Sequence, residues 1–166
     1  MIALISVGTS CNNHCHFCHS REKSRTDDTE LGVHKKVEKA VRLGYDAVAF
    51  SGGEPTIRPE ILKWVRHASL RGLRVGVVSN GRMLSYPSFL DHLVHAGLSF
   101  VQLSLQGSEA AVHNTITEVD SFDETLGALE ALTDRGIEVS VQAVVSGRNC
   151  EDLVPLVDLV VLKLVV

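Results

Sequence analysis

The sequence predicts an α/β fold, an open and partial (β/α)6-type barrel of parallel strands with its helices outside. Apolar, β-branched runs alternate with amphipathic helical patterns along the whole chain, which is typical of parallel β-α units. The connections are short, so right-handed crossovers would bring successive strands side by side. The chain has 166 residues, whereas an eight-unit TIM barrel typically needs about 250. We therefore expect one TIM-like domain over residues 1–166 that stops after its fifth or sixth strand.

Six apolar runs have the length and residue types of buried parallel strands. They are rich in valine, isoleucine and leucine and are bounded by glycine or polar residues. The last run reaches the end of the sequence. The expected strands are residues 2–7, 47–50, 74–78, 100–105, 138–145 and 159–166.

Capping residues mark the expected helix starts. Asp27, followed by Glu30 three positions later, forms a capping-box pattern before the first helix. Ser121 and Glu124 form a second capping box. Asn149 can cap the last helix.

Proline and glycine residues frame the remaining helical patterns. Pro59 suits the first turn of the second helix, and Pro87 suits the start of the third. A glycine at the end of each pattern predicts where the helix stops. These glycines are Gly44, Gly72, Gly97 and Gly136. The expected buried faces are Val33, Val37, Ala40 and Val41, then Ile61, Leu62, Val65 and Ala68, then Phe89, Leu90, Leu93 and Val94, then Leu126, Leu129 and Leu132, and finally Leu153, Leu156 and Val157.

Composition excludes several classes of protein. Hydrophobic residues make up 45% and charged residues 22% of the chain, as in soluble globular domains. The net charge of -4 argues against a nucleic-acid partner, which usually requires a basic surface. No apolar run approaches about 18 residues, so no membrane span is expected. Residues 1–7 are too short for a signal peptide. We expect a cytoplasmic location, where thiols stay reduced.

Three of the four cysteines are close together in the sequence. Cys11, Cys15 and Cys18 have the spacing CxxxCxxC, and Cys150 is distant. Thiolates select iron–sulfur clusters or zinc over hard cations. Structural zinc usually has four protein ligands, whereas a four-iron cluster held by three thiolates keeps one iron open to a small chelating ligand. The spacing therefore indicates a metal site, and the open iron would be suited to catalysis.

Zinc remains an alternative at this loop. His14, His16 or His19 could supply a fourth ligand, although a single histidine is more often a solvated loop residue or a hydrogen-bond partner of a cluster sulfur. For Cys150, a half-buried structural thiol or a residue at a helix start is favoured over a cluster ligand.

A second motif, Gly52-Gly53-Glu54-Pro55, follows the second strand. The two glycines let a backbone approach a ligand closely, and a carboxylate beside them can accept hydrogen bonds from an ammonium group. The alternative is a tight turn with a solvated glutamate.

Polar residues also follow the third and fourth strands. Because the carboxyl ends of parallel strands share one rim, all these segments should meet there. The residues at the third and fourth strand ends are Ser79, Asn80, Gly81, Ser104, Gln106 and Gly107.

Together the two motifs resemble the radical S-adenosylmethionine (radical SAM) superfamily. Its signature is CxxxCxxC after the first strand, with an aromatic residue before the third cysteine, here Phe17. Gly-Gly-Glu-Pro after the second strand is its second motif. The likeness extends through Ser104–Gly107 and residues 113–132, and it is strongest to the group of the molybdenum-cofactor cyclase and peptide-modifying maturases.

The resemblance implies a [4Fe–4S] cluster and S-adenosylmethionine (SAM) as cofactors. Cys11, Cys15 and Cys18 would hold the cluster, and the amino and carboxylate groups of SAM would chelate the open iron. Gly52, Gly53 and Glu54 would secure the amino group, and Phe17 would lie near the adenine. Four further residues would contact the ribose or the carboxylate, unless they make loop-capping hydrogen bonds instead. They are Ser79, Asn80, Ser104 and Gln106.

The activity implied by the resemblance is reductive cleavage of SAM to a 5′-deoxyadenosyl radical, which abstracts hydrogen from a small-molecule or peptide substrate. A flavodoxin- or ferredoxin-like protein would donate the electron. Two other functions stay open. One is a non-catalytic metal-binding module, either held by zinc or binding cluster and SAM without turnover. The other is a sugar-phosphate or nucleotide-binding α/β domain, which leaves the cysteine spacing unexplained.

Overall fold

A single parallel sheet forms the centre of the molecule. The computed structural model describes residues 1–19 and 26–164. Its five strands lie in the same order in the sheet as in the sequence, and each pairs in parallel with the next. They are β1 Ile2–Ser6, β2 Ala47–Ser51, β3 Arg74–Ser79, β4 Leu98–Ser104 and β5 Glu138–Gln142. Among residues 1–19 and 26–164 no strand pairs with the outer edge of β1 or β5, so the sheet is open there, and the predicted α/β class is confirmed.

Helices fill the crossovers between strands. The α-helices are α1 Glu30–Arg42, α2 Ile61–Leu70, α3 Pro87–Ala96, α4 Ala110–Thr117, α5 Phe122–Asp134 and α6 Leu153–Leu164. Short 3₁₀ turns occupy Pro55–Ile57, Arg82–Ser85 and Cys150–Asp152. Among the described residues, no helix is long and apolar enough to cross a membrane. The sequence patterns did not predict α4.

The predicted sixth strand at residues 159–166 is wrong. Residues 159–164 continue α6, and the last two residues lie outside the described part of the chain. A short apolar run has no periodicity that separates a strand from a helix. Here the helix packs Leu156 against Phe122 and Leu105, in a small cluster beside the main core.

The core lies between the sheet and the helices. Val33 and Val37 of α1 and Leu129 and Leu132 of α5 are fully buried, as predicted. Trp64, which the predicted face of α2 omitted, is fully buried and contacts the Phe50 ring, with 6.2 Å between centroids. The sheet and this helical layer hold the carboxyl ends of the strands in place.

Several predicted helix starts are corrected by the structure. The N-cap of α1 is Thr29, whose side chain accepts a hydrogen bond from the Gly32 amide at 3.0 Å, so Asp27 is not the cap. Pro59 lies in the turn before α2 instead of in its first turn. Neither Ser121 nor Asn149 makes a side-chain capping bond. Asp27 and Ser121 bond instead to Ser10 and to the His113 ring, and Asn149 Oδ1 accepts a hydrogen bond from the Ser146 amide.

The predicted helix ends agree with the structure. All four glycines have positive φ, a conformation that glycine adopts without steric cost. The angles are 73° at Gly44, 79° at Gly72, 111° at Gly97 and 65° at Gly136. Strand β4 begins two residues earlier than predicted, and β5 ends three residues earlier.

Candidate functional site

A cavity of about 330 Å³ opens at the carboxyl ends of the strands. This is within the size range of small-molecule sites. Every residue that the sequence analysis assigned to the cluster or to SAM lines it. They are Cys11, Cys15, Phe17, Cys18, Gly52, Gly53, Glu54, Ser79, Asn80, Ser104 and Gln106. Four separate segments of the chain therefore converge on one volume.

The cysteine loop, residues 8–19, is held by α4. The His14 amide donates to the Thr117 carbonyl at 3.0 Å, and the His16 amide donates to the Ile116 carbonyl at 3.1 Å. Both carbonyls belong to the last turn of α4, where a helix has unpaired acceptors. The helix end thus orients the loop between the first and third cysteines.

Asp27 anchors the start of the same loop. Its carboxylate accepts hydrogen bonds from the Thr9 and Ser10 amides, at 3.2 and 3.1 Å, and from the Ser10 hydroxyl at 2.6 Å. Burial tends to raise the pKa of Asp27, but the bonds from Ser10 outweigh it and the pKa is lowered. The carboxylate is therefore an anchor of the loop, and this role replaces the predicted helix cap.

The three thiols interact electrostatically. Burial, and then repulsion from Cys11 and Cys18, raises the pKa of Cys15 to about 11. Burial also raises the pKa of Cys11, and the negative charges of Glu54 and Cys18 add to the shift. Thiols that oppose one another's ionisation are suited to share one cationic centre, because a metal stabilises their thiolates. The donor set therefore fits a thiolate-held iron–sulfur cluster.

A single metal ion would need a tighter arrangement. Within residues 1–19 and 26–164, no three His, Cys, Asp or Glu side chains are gathered to hold one ion. In a four-iron cluster each thiolate binds a different iron. His14 lines the cavity and is exposed, His16 is near the Ile116 carbonyl, and His19 is exposed.

The glycine motif contacts the cysteine loop directly. The Gly53 amide donates to the Gly8 carbonyl at 2.9 Å, and the Glu54 amide donates to the Ser10 carbonyl at 2.8 Å. A Cβ on Gly53 would be 2.1 Å from the Ser10 oxygen, and one on Gly52, where φ is 141°, would be 2.4 Å from the Gly8 oxygen. In the structure the two glycines let the two loops pack together. The close approach of their backbone to a ligand stays a prediction.

Glu54 is buried at the base of the cavity, with 2% of its surface exposed. Its Oε1 accepts hydrogen bonds from the Thr56 amide and hydroxyl and from the Ser79 hydroxyl, and its Oε2 accepts one from the Asn80 amide at 2.7 Å. Burial raises the pKa of Glu54, although these hydrogen bonds act to lower it. No residue within the described ranges 1–19 and 26–164 forms an ion pair with this carboxylate, and a cation in the cavity would stabilise its charged form.

Ser79 and Asn80 make loop contacts and also line the cavity. The Asn80 side-chain amide donates to Asn12 Oδ1 at 2.7 Å, which ties the β3 end to the cysteine loop. Ser104 Oγ accepts a hydrogen bond from the side-chain Nε2 of Gln142 at 3.2 Å. Ser79, Asn80 and Ser104 therefore make hydrogen bonds within the protein and also line the cavity.

Sequence reasoning missed several residues at this site. Gln142 lines the cavity from the end of β5, and Thr117 lines it from α4. Arg82 donates to the Asn12 carbonyl at 2.7 Å and pairs with Glu124, which is therefore not part of a capping box. Gln142 could have been found from its strand-end position, but Thr117 and Arg82 act through partners distant in sequence. Cys150 is exposed and does not line the cavity.

His113 lies behind the cavity wall and is buried, with 1% of its surface exposed. Burial lowers its pKa from 6.5 to about 4. Between these values the unfolded chain carries a proton that the folded chain lacks, so stability falls as pH falls from 6.5 to 4.

Between pH 7 and pH 4 we expect the unfolding free energy of the native apoprotein to fall by about 3 kcal/mol more than that of the His113→Gln variant. Urea unfolding at both pH values measures this, and equal losses in the two proteins would contradict it.

The sequence profile of the Radical SAM superfamily matches residues 5–160. The chain belongs to the radical SAM superfamily. Members of this superfamily use a [4Fe–4S] cluster and SAM, so the predicted family and the predicted cofactors are confirmed. Superfamily membership also supports SAM-dependent radical chemistry.

Known radical SAM proteins resemble the chain over most of its length. The AdoMet-dependent heme synthase of Methanosarcina barkeri (strain Fusaro / DSM 804) is 28% identical over 147 residues, which are 86% of this chain and 42% of that protein. The GTP 3',8-cyclase of Marinobacter nauticus (strain ATCC 700491 / DSM 11845 / VT8) is 28% identical over 162 residues, 93% of this chain and 48% of that protein. The chain therefore spans less than half the length of these curated relatives.

The fold of this radical SAM chain also matches solved structures. Streptococcus suis SuiB, crystallised with S-adenosylmethionine, superposes with a TM-score of 0.84 at 18% sequence identity. The match covers 98% of this chain and 38% of SuiB. SuiB has also been crystallised with its precursor peptide SuiA. At this identity the likeness shows a shared fold.

Proposed function

We propose that residues 1–166 form a radical SAM core domain that cleaves SAM reductively to a 5′-deoxyadenosyl radical. The radical abstracts a hydrogen atom from a small-molecule or peptide substrate. The observation that carries this proposal is the single cavity lined by all three cysteines of the CxxxCxxC motif and by Gly52, Gly53 and Glu54. Convergence of two separate motifs on one volume supports a shared task for them.

Cys11, Cys15 and Cys18 would hold the [4Fe–4S] cluster, leaving one iron open to SAM. When bound, the cluster supplies the electron that breaks the bond between the sulfonium sulfur and the 5′ carbon. The contacts from Thr117, Ile116 and Asp27 restrain the backbone that carries the thiolates. This restraint supports a preformed metal site.

The other cavity residues suit the cationic part of SAM. Glu54 is a buried carboxylate whose pKa is raised by burial, and the amino group of SAM would stabilise its charged form. The backbone of Gly52 and Gly53 lies beside it. Phe17, which is 38% exposed, offers an aromatic surface to the adenine.

Four polar residues complete the proposed SAM site. Ser79 and Asn80 at the end of β3, with Ser104 and Gln106 at and after the end of β4, offer hydrogen bonds to the ribose and the carboxylate. Because each of them also bonds to the protein, their orientations are held before SAM binds. The arrangement would therefore orient SAM without large rearrangement.

The partners follow from the same chemistry. One electron per cleavage must come from outside, which suits a flavodoxin- or ferredoxin-like donor in the cytoplasm. A peptide substrate agrees with the SuiB structure that contains a precursor peptide. A small-molecule substrate agrees with the relatives named for heme and GTP.

Anaerobic reconstitution with iron and sulfide tests the proposal. We expect a brown protein with about four iron atoms per chain, which forms 5′-deoxyadenosine from SAM when dithionite is added. A colourless protein that retains zinc would contradict the cluster. A brown protein that binds SAM but releases no 5′-deoxyadenosine would support a non-catalytic module instead.

A further inference from the structure

Helix α4 contacts both halves of the proposed site. His113, in its middle, accepts a hydrogen bond at Nδ1 from the Gln106 amide, at 3.1 Å, and its Nε2 is 3.1 Å from the Ser121 hydroxyl. Since Nδ1 is the acceptor, the neutral ring carries its proton on Nε2 and donates it to Ser121. The Phe122 ring and the imidazole pack in a T-shaped contact, with 5.8 Å between centroids. The ring is therefore held in one orientation.

Gln106 is restrained on three sides. Its carbonyl accepts a hydrogen bond from Asn149 Nδ2 at 3.0 Å, and its side-chain Oε1 accepts one from the Val144 amide at 2.9 Å. Its own amide donates to His113. Gln106 is 2% exposed and lines the cavity. These three bonds set the course of the chain as it leaves β4 and forms the cavity wall.

The last turn of α4 reaches the cysteine loop through the Ile116 and Thr117 carbonyls. The Thr117 hydroxyl donates back to the His113 carbonyl at 3.1 Å and lies 3.3 Å from the Ser121 hydroxyl. His113, which holds the Gln106 wall, therefore lies four positions before Thr117, whose carbonyl holds the His14 amide. One short helix joins the cofactor wall to the cluster loop.

We propose that His113 is a positioning residue of the SAM site. Its Nδ1 holds the Gln106 amide, and with it the part of the cavity wall that follows β4, at a fixed position relative to the cysteine loop. The last turn of the same helix holds that loop. This inference rests on the proposed function, because it assumes that the cavity binds SAM. His113 does not line the cavity and acts through Gln106.

Two substitutions of His113 test its hydrogen bonds to Gln106 and to Ser121 one at a time. In His113→Asn the side-chain oxygen can take the position of Nδ1 and accept from Gln106, but the contact with Ser121 is lost. In His113→Gln the longer side chain can reach Ser121, but the acceptor for Gln106 is lost. We expect His113→Gln to raise the Kd of the reconstituted protein for SAM about tenfold, or about 1.4 kcal/mol. His113→Asn should change this Kd less than about twofold.

Equilibrium dialysis against SAM, normalised to cluster content, measures both values. Equal Kd changes in the two variants, including no change in either, would overturn the positioning role. Failure of the wild-type reconstituted protein to bind SAM would overturn the proposed function, and this inference with it. That failure can be told apart from failure of the positioning role alone, because it is seen in the wild-type protein before any substitution is made.

A measurement on the wild-type holoprotein keeps the inference testable if a variant does not fold. In the oxidised protein, ¹⁵N NMR of the His113 ring should show Nε2 protonated and Nδ1 unprotonated. The Gln106 amide should exchange with solvent only slowly. A proton on Nδ1, or rapid exchange of the Gln106 amide, would overturn the inference.

Discussion

Replacing Cys15 with alanine is expected to abolish formation of 5′-deoxyadenosine and to lower the iron content of the reconstituted protein. Cys15 lines the same cavity as Cys11 and Cys18, and the three have the CxxxCxxC spacing of the proposed cluster ligands. Loss of a residue that only hydrogen-bonds to a metal ligand typically costs about 10–100-fold in affinity or activity. Loss of a ligand should cost more, so product should fall by at least about 100-fold.

Cys150→Ala is the matched control. Cys150 is exposed and lies outside the cavity, so this variant should retain the iron content and product of the wild type. Iron analysis and chromatography of the SAM cleavage products compare the three proteins. Equal product in the Cys15 variant and the wild type would exclude Cys15 as a cluster ligand.

Replacing Gly53 with alanine is expected to destabilise the protein by about 1–3 kcal/mol, the range for inserting a group into filled space. The added Cβ would be 2.1 Å from the Ser10 oxygen and 2.6 Å from the Thr9 oxygen. Both are backbone atoms, which cannot move aside as a flexible side chain can. The two loops must separate, so SAM binding by the reconstituted protein should also be lost.

Gly147→Ala provides the comparison for this substitution. A Cβ at Gly147 would meet no described atom within 4 Å, and its φ is outside the left-handed region. Its unfolding midpoint in urea and its Kd for SAM should stay close to those of the wild type. If the two alanine variants behaved alike, the contact between the loops would not be needed for the site.

The fold class and most elements could be predicted because their signals are local. Apolar runs and helical faces report burial directly, and glycines with positive φ ended the helices where the sequence predicted. The errors occur where local signals were ambiguous. The apolar run at residues 159–164 became helix, and α4 has a weak apolar face that predicted no element.

The capping predictions failed for a different reason. Asp27 and Ser121 are residue types that can cap a helix, but they can equally bond to any donor or acceptor that the fold brings near. Asp27 bonds to Ser10, 17 residues away, and Ser121 bonds to the buried ring of His113. Which partner is present depends on the tertiary structure.

The sequence by itself determined the parallel α/β class, the two cofactor motifs and therefore the family, because each depends on residues close together in the chain. Only the tertiary structure decided how the motifs work together. The contact of Gly53 with Ser10, the burial of Glu54 beneath Asn80 and the link from His113 to Gln106 all join separate segments. Such contacts form only when the sheet brings the strand ends to one rim, so spacing along the chain does not encode them.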